Sequence, residues 1–335
     1  MLKIIVIGLG SMGKRRIRNL LKLGYDDIIG FDPRDDRRKE TRKKYKIDSV
    51  STIEEGLECR PNVMIISTPP DLHYTYAKIA IKNNIHFFTE VNLSSKDVKK
   101  IIQKLKNKSI IGLPSCTTLY NPVFKELNKM IKKKSLGKIF TMYHHFGHFL
   151  PNWHPWEDYR KFYASKKETG AAREVVPFEL VWIIALFSKI KSVYGQNSKI
   201  SKLKTNIDDI YEILIEFRNG IHGILVIDVL SSPSFSETKI IGEKGVILCD
   251  HNTGIMKLGN DGKWKTRQLQ MGRMEKGYKG NTATELQYEE EIQNFLNVVI
   301  KKKKYPYTFN DELEILKVLD AVELSNKQRK KIQIK

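Results

Sequence analysis

The first third of the chain alternates short apolar runs with amphipathic stretches. Apolar runs that end at glycine or polar residues predict strands buried on both faces, and apolar positions at helical spacing predict helices between them. The predicted strands are 3–7, 27–31, 63–67, 86–89 and 109–112, and the predicted helices are 12–23, 71–82 and 96–105. Alternation of this kind predicts a parallel, doubly wound sheet.

After about Thr118 the pattern changes to consecutive strands joined by short turns, such as Asn219-Gly220. The predicted strands are 138–149, 211–217, 222–229, 237–241, 246–250 and 255–258, and the predicted helices are 123–132, 179–187, 285–299 and 312–324. Such an order is typical of an open, mostly antiparallel sheet with helices. We therefore predict an α/β protein with a doubly wound domain at 1–118 and an α+β domain at 119–335, whose closing helices can pack back on the first domain.

Composition limits the classes of protein that fit this pattern. A chain of 335 residues with 41% hydrophobic content can bury the cores of two domains. No apolar run approaches the ~20 residues that a membrane span needs, and residues 1–10 fit a first strand better than a signal peptide. The three cysteines stand far apart, which excludes a disulfide framework and a cysteine-rich zinc site. We predict no membrane span and a cytoplasmic location.

The chain is strongly basic, with 59 Lys and Arg against 38 Asp and Glu and a net charge of +21. This charge favours anionic partners such as nucleotide cofactors or sugar nucleotides. The lysines are spread over predicted helix faces without interleaved aromatic residues, so solvated helix faces explain them better than a nucleic-acid site. We therefore predict no nucleic-acid partner.

Residues 8–13 form a G-x-G-x-x-G sequence between the first predicted strand and the first helix. Its members are Gly8, Leu9, Gly10, Ser11, Met12 and Gly13, and Asp32 ends the next strand 19 residues after Gly13. In a Rossmann domain the glycines allow a tight turn and a close approach to a pyrophosphate, and the helix N-terminus attracts its charge. The acidic residue accepts hydrogen bonds from the adenosine ribose. The sequence therefore predicts a dinucleotide site.

The carboxylate of Asp32 favours NAD, because the 2′-phosphate of NADP would meet a like charge. Arg34, Arg37 and Arg38 follow closely, and an arginine here can pair with a 2′-phosphate. We predict NAD as the cofactor, with NADP as the alternative and Arg34 among the contacting residues.

Nearly the whole sequence resembles the Gfo/Idh/MocA family, named after glucose–fructose oxidoreductase and inositol dehydrogenase. The resemblance lies in GLGSMG, in STPPDLHYTYAKIAI, in Leu119-Tyr120-Asn121-Pro122-Val123, and in the closing segments 288–295 and 311–325. It implies hydride exchange between a nicotinamide and a sugar, cyclitol or sugar nucleotide. It also implies an open C-terminal sheet often used for oligomerisation, hence a homodimer or homotetramer. Further cofactor contacts follow by resemblance at Ser67, Thr68, Pro69, His73 and Glu90.

Two departures from the family pattern affect the chemistry. Most members carry Glu-Lys-Pro where this chain has Glu90-Val91-Asn92, so the lysine that touches substrate and nicotinamide is absent. Aligned through Gly170, the positions of the usual Asp and the acid/base His hold Glu174 and Phe178. Either catalysis has been reassigned or the redox activity has been lost.

A hydride leaving a carbinol carbon requires a group that takes the hydroxyl proton. Glu174 and Glu179 lie in or beside an apolar segment, where burial raises a carboxyl pKa toward the working pH. We predict that at least one of them is catalytic, with Glu179 preferred because Pro177 and Phe178 offer a dry setting. The alternative is that Glu174 pairs with Arg173 or caps the helix and that Glu179 complements the helix dipole.

The segment HHFGHFLPNWHPWEDYR is predicted to form a substrate loop. Tryptophan rings stack on sugars, and Asp and Arg side chains bind hydroxyl, carboxylate or phosphate groups. The predicted substrate contacts are His148, Trp153, His154, Asp158, Tyr159, Arg160 and Arg173. The alternative is that the tryptophans and Tyr159 simply pack between the domains. The four histidines in this stretch have no convergent carboxylate pair, so we predict no metal site.

Three functions remain open from the sequence. The preferred one is an NAD(P)-dependent oxidoreductase acting on a sugar or sugar nucleotide in surface polysaccharide biosynthesis, since the YLPxW…DYR style of loop partly resembles family members from such pathways. The alternatives are a non-redox enzyme that uses NAD transiently and a cofactor-binding regulatory or scaffold protein without chemistry.

Overall fold

The structure is a computed structural model that describes residues 2–274, 284–301 and 303–334. The chain divides into two compact units. The N-terminal unit consists of Met1–Cys116 with Tyr288–Leu313, and the C-terminal unit consists of Thr117–Gln287 with Glu314–Lys335. The first unit thus ends two residues before residue 118 and includes a segment from the far end of the chain.

The N-terminal unit is built on a parallel sheet with helices along the chain between its strands. The strands are β1 (Ile4–Ile7), β2 (Ile28–Phe31), β3 (Asp48–Val50), β4 (Val63–Ile66), β5 (His86–Thr89) and β6 (Gly112–Pro114). The helices are α1 (Ser11–Lys22), α2 (Asp35–Tyr45), α3 (Ile53–Glu58), α4 (His73–Lys82) and α5 (Ser95–Leu105). The strand order is β3-β2-β1-β4-β5-β6, with parallel pairing throughout. This confirms the predicted doubly wound sheet.

The sequence predicts no element in residues 32–62, where the structure has α2, β3 and α3. α2 has the sequence DDRRKETRKKY and buries only Thr41, so it lacks the apolar periodicity by which helices are recognised. α3 is a short helix that begins with a capping box between Thr52 and Glu55. The last strand also lies at 112–114 rather than 109–112, where it pairs with β5.

The core of the N-terminal unit explains why the far end of the chain belongs to it. Ile4 and Val6 of β1 and Ile17 and Leu20 of α1 are fully buried. They form one cluster with Ile292, Phe295 and Leu296 from the closing segment. Burial of these apolar side chains holds the closing segment on the parallel sheet.

The C-terminal unit contains a nine-stranded sheet. Its strands are β7 (Ile139–Gly147), β8 (Ile190–Ser198), β9 (Ile210–Phe217), β10 (His222–Asp228), β11 (Phe235–Gly242), β12 (Gly245–Asp250), β13 (Ile255–Asn260), β14 (Lys263–Gln268) and β15 (Ile332–Gln333). Their order is β14-β13-β12-β11-β7-β10-β9-β8-β15. Among the strands that the structure describes in this sheet, only β7 and β10 pair in parallel, so the sheet is mostly antiparallel, as predicted.

The remaining helices are α6 (Pro122–Lys132), α7 (Ala171–Leu186), α8 (Glu285–Lys301) and α9 (Phe309–Gln328). The sequence predicts that α7 starts at Glu179. The helix instead starts at Ala171 and contains Pro177. None of the helices in the described part of the chain has the length and apolarity to cross a membrane.

Candidate cofactor and active site

The turn after β1 has the geometry that the glycine pattern predicts. Gly8 has a positive φ of 87°, and a Cβ on it would lie 2.8 Å from the Ser67 carbonyl oxygen. A Cβ on Gly13 would lie 1.7 Å from the Gly8 carbonyl oxygen, so only glycine permits α1 to start so close to β1. Gly10 is the N-cap of α1, with no cap from a side chain. Ser11 and Met12 open the helix, and the positive end of the helix dipole there suits an anion.

Asp32 is fixed at the end of β2. It is 2% exposed, and its two carboxylate oxygens accept the backbone N–H groups of Leu9 at 2.8 Å and Arg34 at 2.9 Å. The first bond ties the glycine-rich turn to the residue that would meet the ribose. A carboxylate has about four acceptor positions, so capacity is left for ribose hydroxyls. The residues present therefore fit a dinucleotide.

The three arginines after Asp32 are held differently. Arg34 pairs with Asp36, at 2.6 Å between Nη2 and Oδ2, and Arg38 donates to the backbone oxygens of Asp32 and Pro33. Arg37 lies 3.4 Å from the Asp32 carboxylate, and its Nη1 is 3.5 Å from where a Cβ on Gly10 would stand. Arg37, not the predicted Arg34, is therefore the arginine whose guanidinium lies beside both Asp32 and the glycine turn.

The chain segments after β4 and β5 bring Ser67 and Glu90 together. Ser67 Oγ donates to Glu90 at 3.2 Å, and Arg16 donates two bonds to the same carboxylate at 2.7 and 2.8 Å. Arg16 is fully buried and also donates to Glu291 at 2.8 Å. Burial alone lowers the pKa of Arg16, but the two carboxylates outweigh it and raise that pKa above its ordinary value. Glu90 is thus paired with a permanently charged guanidinium.

The segment Thr68-Pro69-Pro70 closes β4, and His73 begins α4. His73 is 1% exposed, with Nε2 at 2.9 Å from the Thr68 carbonyl oxygen and Nδ1 at 3.2 Å from Asn92 Oδ1. Burial lowers the pKa of His73. Both ring nitrogens face groups inside the unit. The imidazole therefore acts in this structure as a connection between two segments rather than as a free contact.

Glu179, the preferred catalytic residue of the sequence analysis, points into the interior of the C-terminal unit. It is 5% exposed, accepts the Trp182 indole N–H at 2.5 Å, and lies 3.0 Å from His144 Nε2. Burial alone raises the pKa of Glu179, but His144, the Trp182 N–H and His251 outweigh it and leave the pKa below its ordinary value. The expectation that burial would raise this pKa toward the working pH is wrong.

A hydrogen-bonded series continues from Glu179 across the sheet. His144 Nδ1 is 2.8 Å from Thr238 Oγ1, which is 2.8 Å from His251 Nε2. Burial lowers the pKa of His251 to about 3, so this ring is neutral at ordinary pH. The series joins α7 to β7 and β11, which is a structural role.

Glu174 lies on another side of α7. Its side chain accepts the Tyr163 hydroxyl at 3.2 Å, and it is only partly buried. Glu174 and Phe178 are four residues apart and share one helix face, which Glu179 does not. The structure therefore separates the two carboxylates that the sequence analysis treated together.

Part of the predicted substrate loop forms an aromatic and histidine cluster. The rings of His148 and Trp153 are 5.4 Å apart, and His154 stacks on Trp156 at 5.1 Å. Burial lowers the pKa of His148 to about 4. The Nε2 atom of His148 and the indole N–H of Trp153 are buried without a hydrogen-bond partner among the described residues. Both atoms have unused hydrogen-bonding capacity.

The other predicted substrate residues have partners within the C-terminal unit. Asp158 and Arg160 pair with each other at 2.6 Å, and the Tyr159 hydroxyl accepts the Lys204 backbone N–H at 3.3 Å. Arg173 donates to Glu323 at 2.5 Å. The predicted set is therefore divided among three local groups. Among the described residues, no cluster of three or more His, Cys, Asp or Glu could hold a metal ion.

Two sequence models of one family match the chain. The model of the oxidoreductase family with an NAD-binding Rossmann fold covers residues 2–113, and the model of the GFO/IDH/MocA C-terminal domain covers residues 124–248. Together they span most of the chain. The chain belongs to the Gfo/Idh/MocA family of oxidoreductases. It is therefore an NAD-binding oxidoreductase, and the resemblance seen in its motifs is confirmed.

Solved structures of Gfo/Idh/MocA type share the fold at low sequence identity. A levoglucosan dehydrogenase in complex with NADH has a TM-score of 0.84 and 16% identity, covering 100% of this chain and 99% of its own. An oxidoreductase from Agrobacterium radiobacter, in complex with NAD⁺, L-tartaric acid and magnesium, has 0.87 and 13%, covering 99% and 98%. The WlbA dehydrogenase from Bordetella pertussis, in complex with NADH and UDP-GlcNAcA, has 0.78 and 15%, covering 100% and 99%. No curated protein sequence matches significantly.

Several residues of this Gfo/Idh/MocA protein were not found from its sequence. Arg16 holds Glu90 and is itself paired with Glu291, Asn92 contacts His73, and Tyr163 contacts Glu174. Arg16 lies on α1 next to the apolar positions that face the core. A charged residue at such a place indicates a buried ion pair, so the sequence does carry a signal for Arg16. The partners of Asn92 and Glu174 lie on segments whose pairing only the fold determines.

Proposed function

We propose that this protein transfers a hydride between NAD and a carbinol carbon of a sugar or sugar nucleotide. The observation that carries the proposal is the tight Gly8–Gly13 turn joined to a buried Asp32 through the Leu9 N–H. The family match makes the chain an NAD-binding oxidoreductase. Dehydrogenases of this fold crystallised with levoglucosan and with UDP-GlcNAcA support the substrate class. The proposed setting, surface polysaccharide biosynthesis, rests on the loop resemblance.

When bound, the nicotinamide ring supplies or accepts the hydride. The chain's own residues bind the dinucleotide: Asp32 accepts from the ribose hydroxyls, and the N-terminus of α1 faces the pyrophosphate. Ser67 and Glu90 lie after neighbouring strands, where Rossmann domains bind the rest of the cofactor. Because the Asp32 carboxylate would meet a 2′-phosphate with like charge, and Arg37 is already paired with that carboxylate at 3.4 Å, NAD is preferred over NADP.

We assign the proton transfer to Glu174. It occupies the position of the family's Asp, and its carboxylate is partly buried and accepts the Tyr163 hydroxyl at 3.2 Å. A carboxylate so placed can take the hydroxyl proton of a carbinol, and the tyrosine orients it. The unpartnered polar atoms of His148 and Trp153 are the proposed contacts for substrate oxygens.

We further propose a homo-oligomer formed through the outer face of the second sheet. Four side chains from adjacent strands form a row on this face: Tyr143, Ile224, Leu214 and Tyr194. Tyr143, Leu214 and Tyr194 are 39%, 52% and 43% exposed. A continuous apolar row of this kind favours a second copy of the chain. Leu214→Glu should then lower the mass measured by light scattering.

We also propose a cytoplasmic location, since all three cysteines are free thiols.

The test measures cofactor binding and turnover separately. We expect NADH titration to show binding, and a panel of sugars and sugar nucleotides to change the absorbance of the nicotinamide. Glu174→Gln should lower turnover by roughly 100-fold or more without changing NADH affinity. Tyr163→Phe should lower it less. No association with oxidised or reduced coenzyme would refute the proposal, and binding without turnover of any panel member would favour a regulatory protein.

A further inference from the structure

The turn after β5 is attached to the first turn of α9 by a pair of buried residues. Asn92 is 4% exposed and Glu312 is 1% exposed. The Asn92 backbone N–H donates to Glu312 Oε1 at 3.1 Å, and its side-chain amide lies 2.9 Å from Glu312 Oε2. One carboxyl group therefore holds both the main chain and the side chain of Asn92.

This arrangement depends on a residue at which the chain departs from its family. Most members have proline at the position of Asn92, and proline has no N–H to donate. The other end of the Asn92 amide faces His73 Nδ1 at 3.2 Å, and His73 Nε2 faces the Thr68 carbonyl oxygen at 2.9 Å. Glu312, Asn92 and His73 thus connect α9 to the segments that follow β5 and β4.

Hydrogen-bond counting restricts the protonation of this series. A carbonyl oxygen only accepts, so His73 Nε2 carries a hydrogen toward Thr68. In neutral His73 the Nδ1 atom must accept from the Asn92 NH₂ group. This turns the amide oxygen toward Glu312 and toward the Thr89 hydroxyl, which can donate to it, and gives up the long 3.4 Å contact of the amide nitrogen with the Glu90 carbonyl oxygen. Glu312 must then donate an O–H to the Asn92 amide oxygen. In the alternative, His73 is an imidazolium and Glu312 is a carboxylate. This arrangement has the same number of protons but places two charges in the interior.

Burial favours the neutral arrangement. It raises the pKa of Glu312 to about 8 and lowers the pKa of His73. The titratable groups that act on the series are Glu90 and Asp71 near His73, and Tyr307 near Glu312, whose own pKa burial raises. Among the described residues no Lys, Arg or His forms an ion pair with Glu312, so no cation stabilises its charged form.

We propose that Glu312, as a neutral acid, is a positioning residue that acts through Asn92 and His73 on the two chain segments beside the cofactor crevice. These segments are 67–73 after β4 and 90–92 after β5. The inference rests on the proposed function, because its consequence is measured in cofactor binding. Loss of the Glu312 proton would remove the donor to Asn92 and leave His73 Nδ1 without its hydrogen bond.

The experiment compares wild type with Glu312→Gln and Glu312→Ala. Glutamine reproduces the neutral acid, because its NH₂ donates to Asn92 and its carbonyl accepts the backbone N–H. We expect the Kd for NADH of wild type to rise by about tenfold as the pH passes through about 8, while that of Glu312→Gln stays within about twofold. Glu312→Ala should raise this Kd by about tenfold at every pH and affect KM for the coenzyme more than kcat.

Glu314→Gln is the matched control, since Glu314 lies two residues away on α9 and is 43% exposed in its side chain. Equal pH dependence in wild type and Glu312→Gln would overturn the inference. If Glu312→Ala does not fold, the ¹⁵N resonances of the His73 ring decide: the neutral Nε2–H tautomer in wild type supports the inference, and an imidazolium at neutral pH overturns it. Absence of any NADH binding by wild type would instead refute the proposed function.

Discussion

Replacement of Glu179 by glutamine separates a structural role from a catalytic one. The Glu179 and His144 side chains are 6% and 0% exposed, and their nearest atoms are 3.0 Å apart. Breaking a buried pair by neutralising one partner costs about 3–5 kcal/mol. Glutamine still accepts the Trp182 N–H, so we expect the lower value, about 3 kcal/mol. At about 2–4 °C per kcal/mol for a unit of this size, Tm should fall by roughly 6–12 °C.

The assay combines calorimetry of unfolding with turnover under saturating coenzyme. Because the folded-state pKa of Glu179 is lowered, its contribution to stability is present above the ordinary pKa of a glutamate. That contribution is lost as the pH falls through the folded-state value, so the difference in Tm between variant and wild type should shrink in acid. Turnover at a temperature where both are folded should change less than about threefold. A loss of about 100-fold with unchanged Tm would refute this reasoning and make Glu179 the catalytic base.

Three further outcomes test the cofactor site and the buried histidines. Gly13→Ala should abolish NADH binding in a titration, because the added Cβ would stand 1.7 Å from the Gly8 carbonyl oxygen. Asp32→Asn should weaken NADH binding by about tenfold. It should also lower the ratio of the Kd for NADPH to the Kd for NADH, because the 2′-phosphate no longer meets a like charge. In His251→Gln the Tm should fall less steeply than in wild type as the pH drops below about 6.5. The reason is that the pKa of His251 is lowered in the folded state, so its contribution to stability is lost in acid. An unchanged slope in this variant would remove His251 from the acid response.

The N-terminal unit was largely predictable from sequence because its decisive features are local. Buried parallel strands give continuous apolar runs, and the motif from Gly8 to Asp32 fixes a turn, a helix start and a carboxylate within one strand–helix–strand unit. α2 escaped prediction because its charged sequence carries no apolar stripe. Arg16 and Glu291 escaped because they are 275 positions apart along the chain.

The direction of the two candidate carboxylates on α7 could not be predicted from sequence, because it depends on one helix boundary. The sequence predicts a helix that starts at Glu179, which would place Glu174 before the helix and Glu179 in its first turn. With the true start at Ala171, both carboxylates lie on the helix and are five residues apart. Five residues correspond to about 500° of rotation, so the two side chains differ in direction by about 140°.

Because of that angle, Glu179 and Glu174 contact different groups. Glu179 faces the sheet and contacts His144 and Trp182. Glu174 lies on the helix face that also carries Phe178, the residue at the position of the family's histidine. A proton acceptor for substrate requires access, which the interior of a sheet–helix layer does not give. We therefore propose Glu174, which accepts the Tyr163 hydroxyl, as the group that takes over proton transfer from the missing histidine.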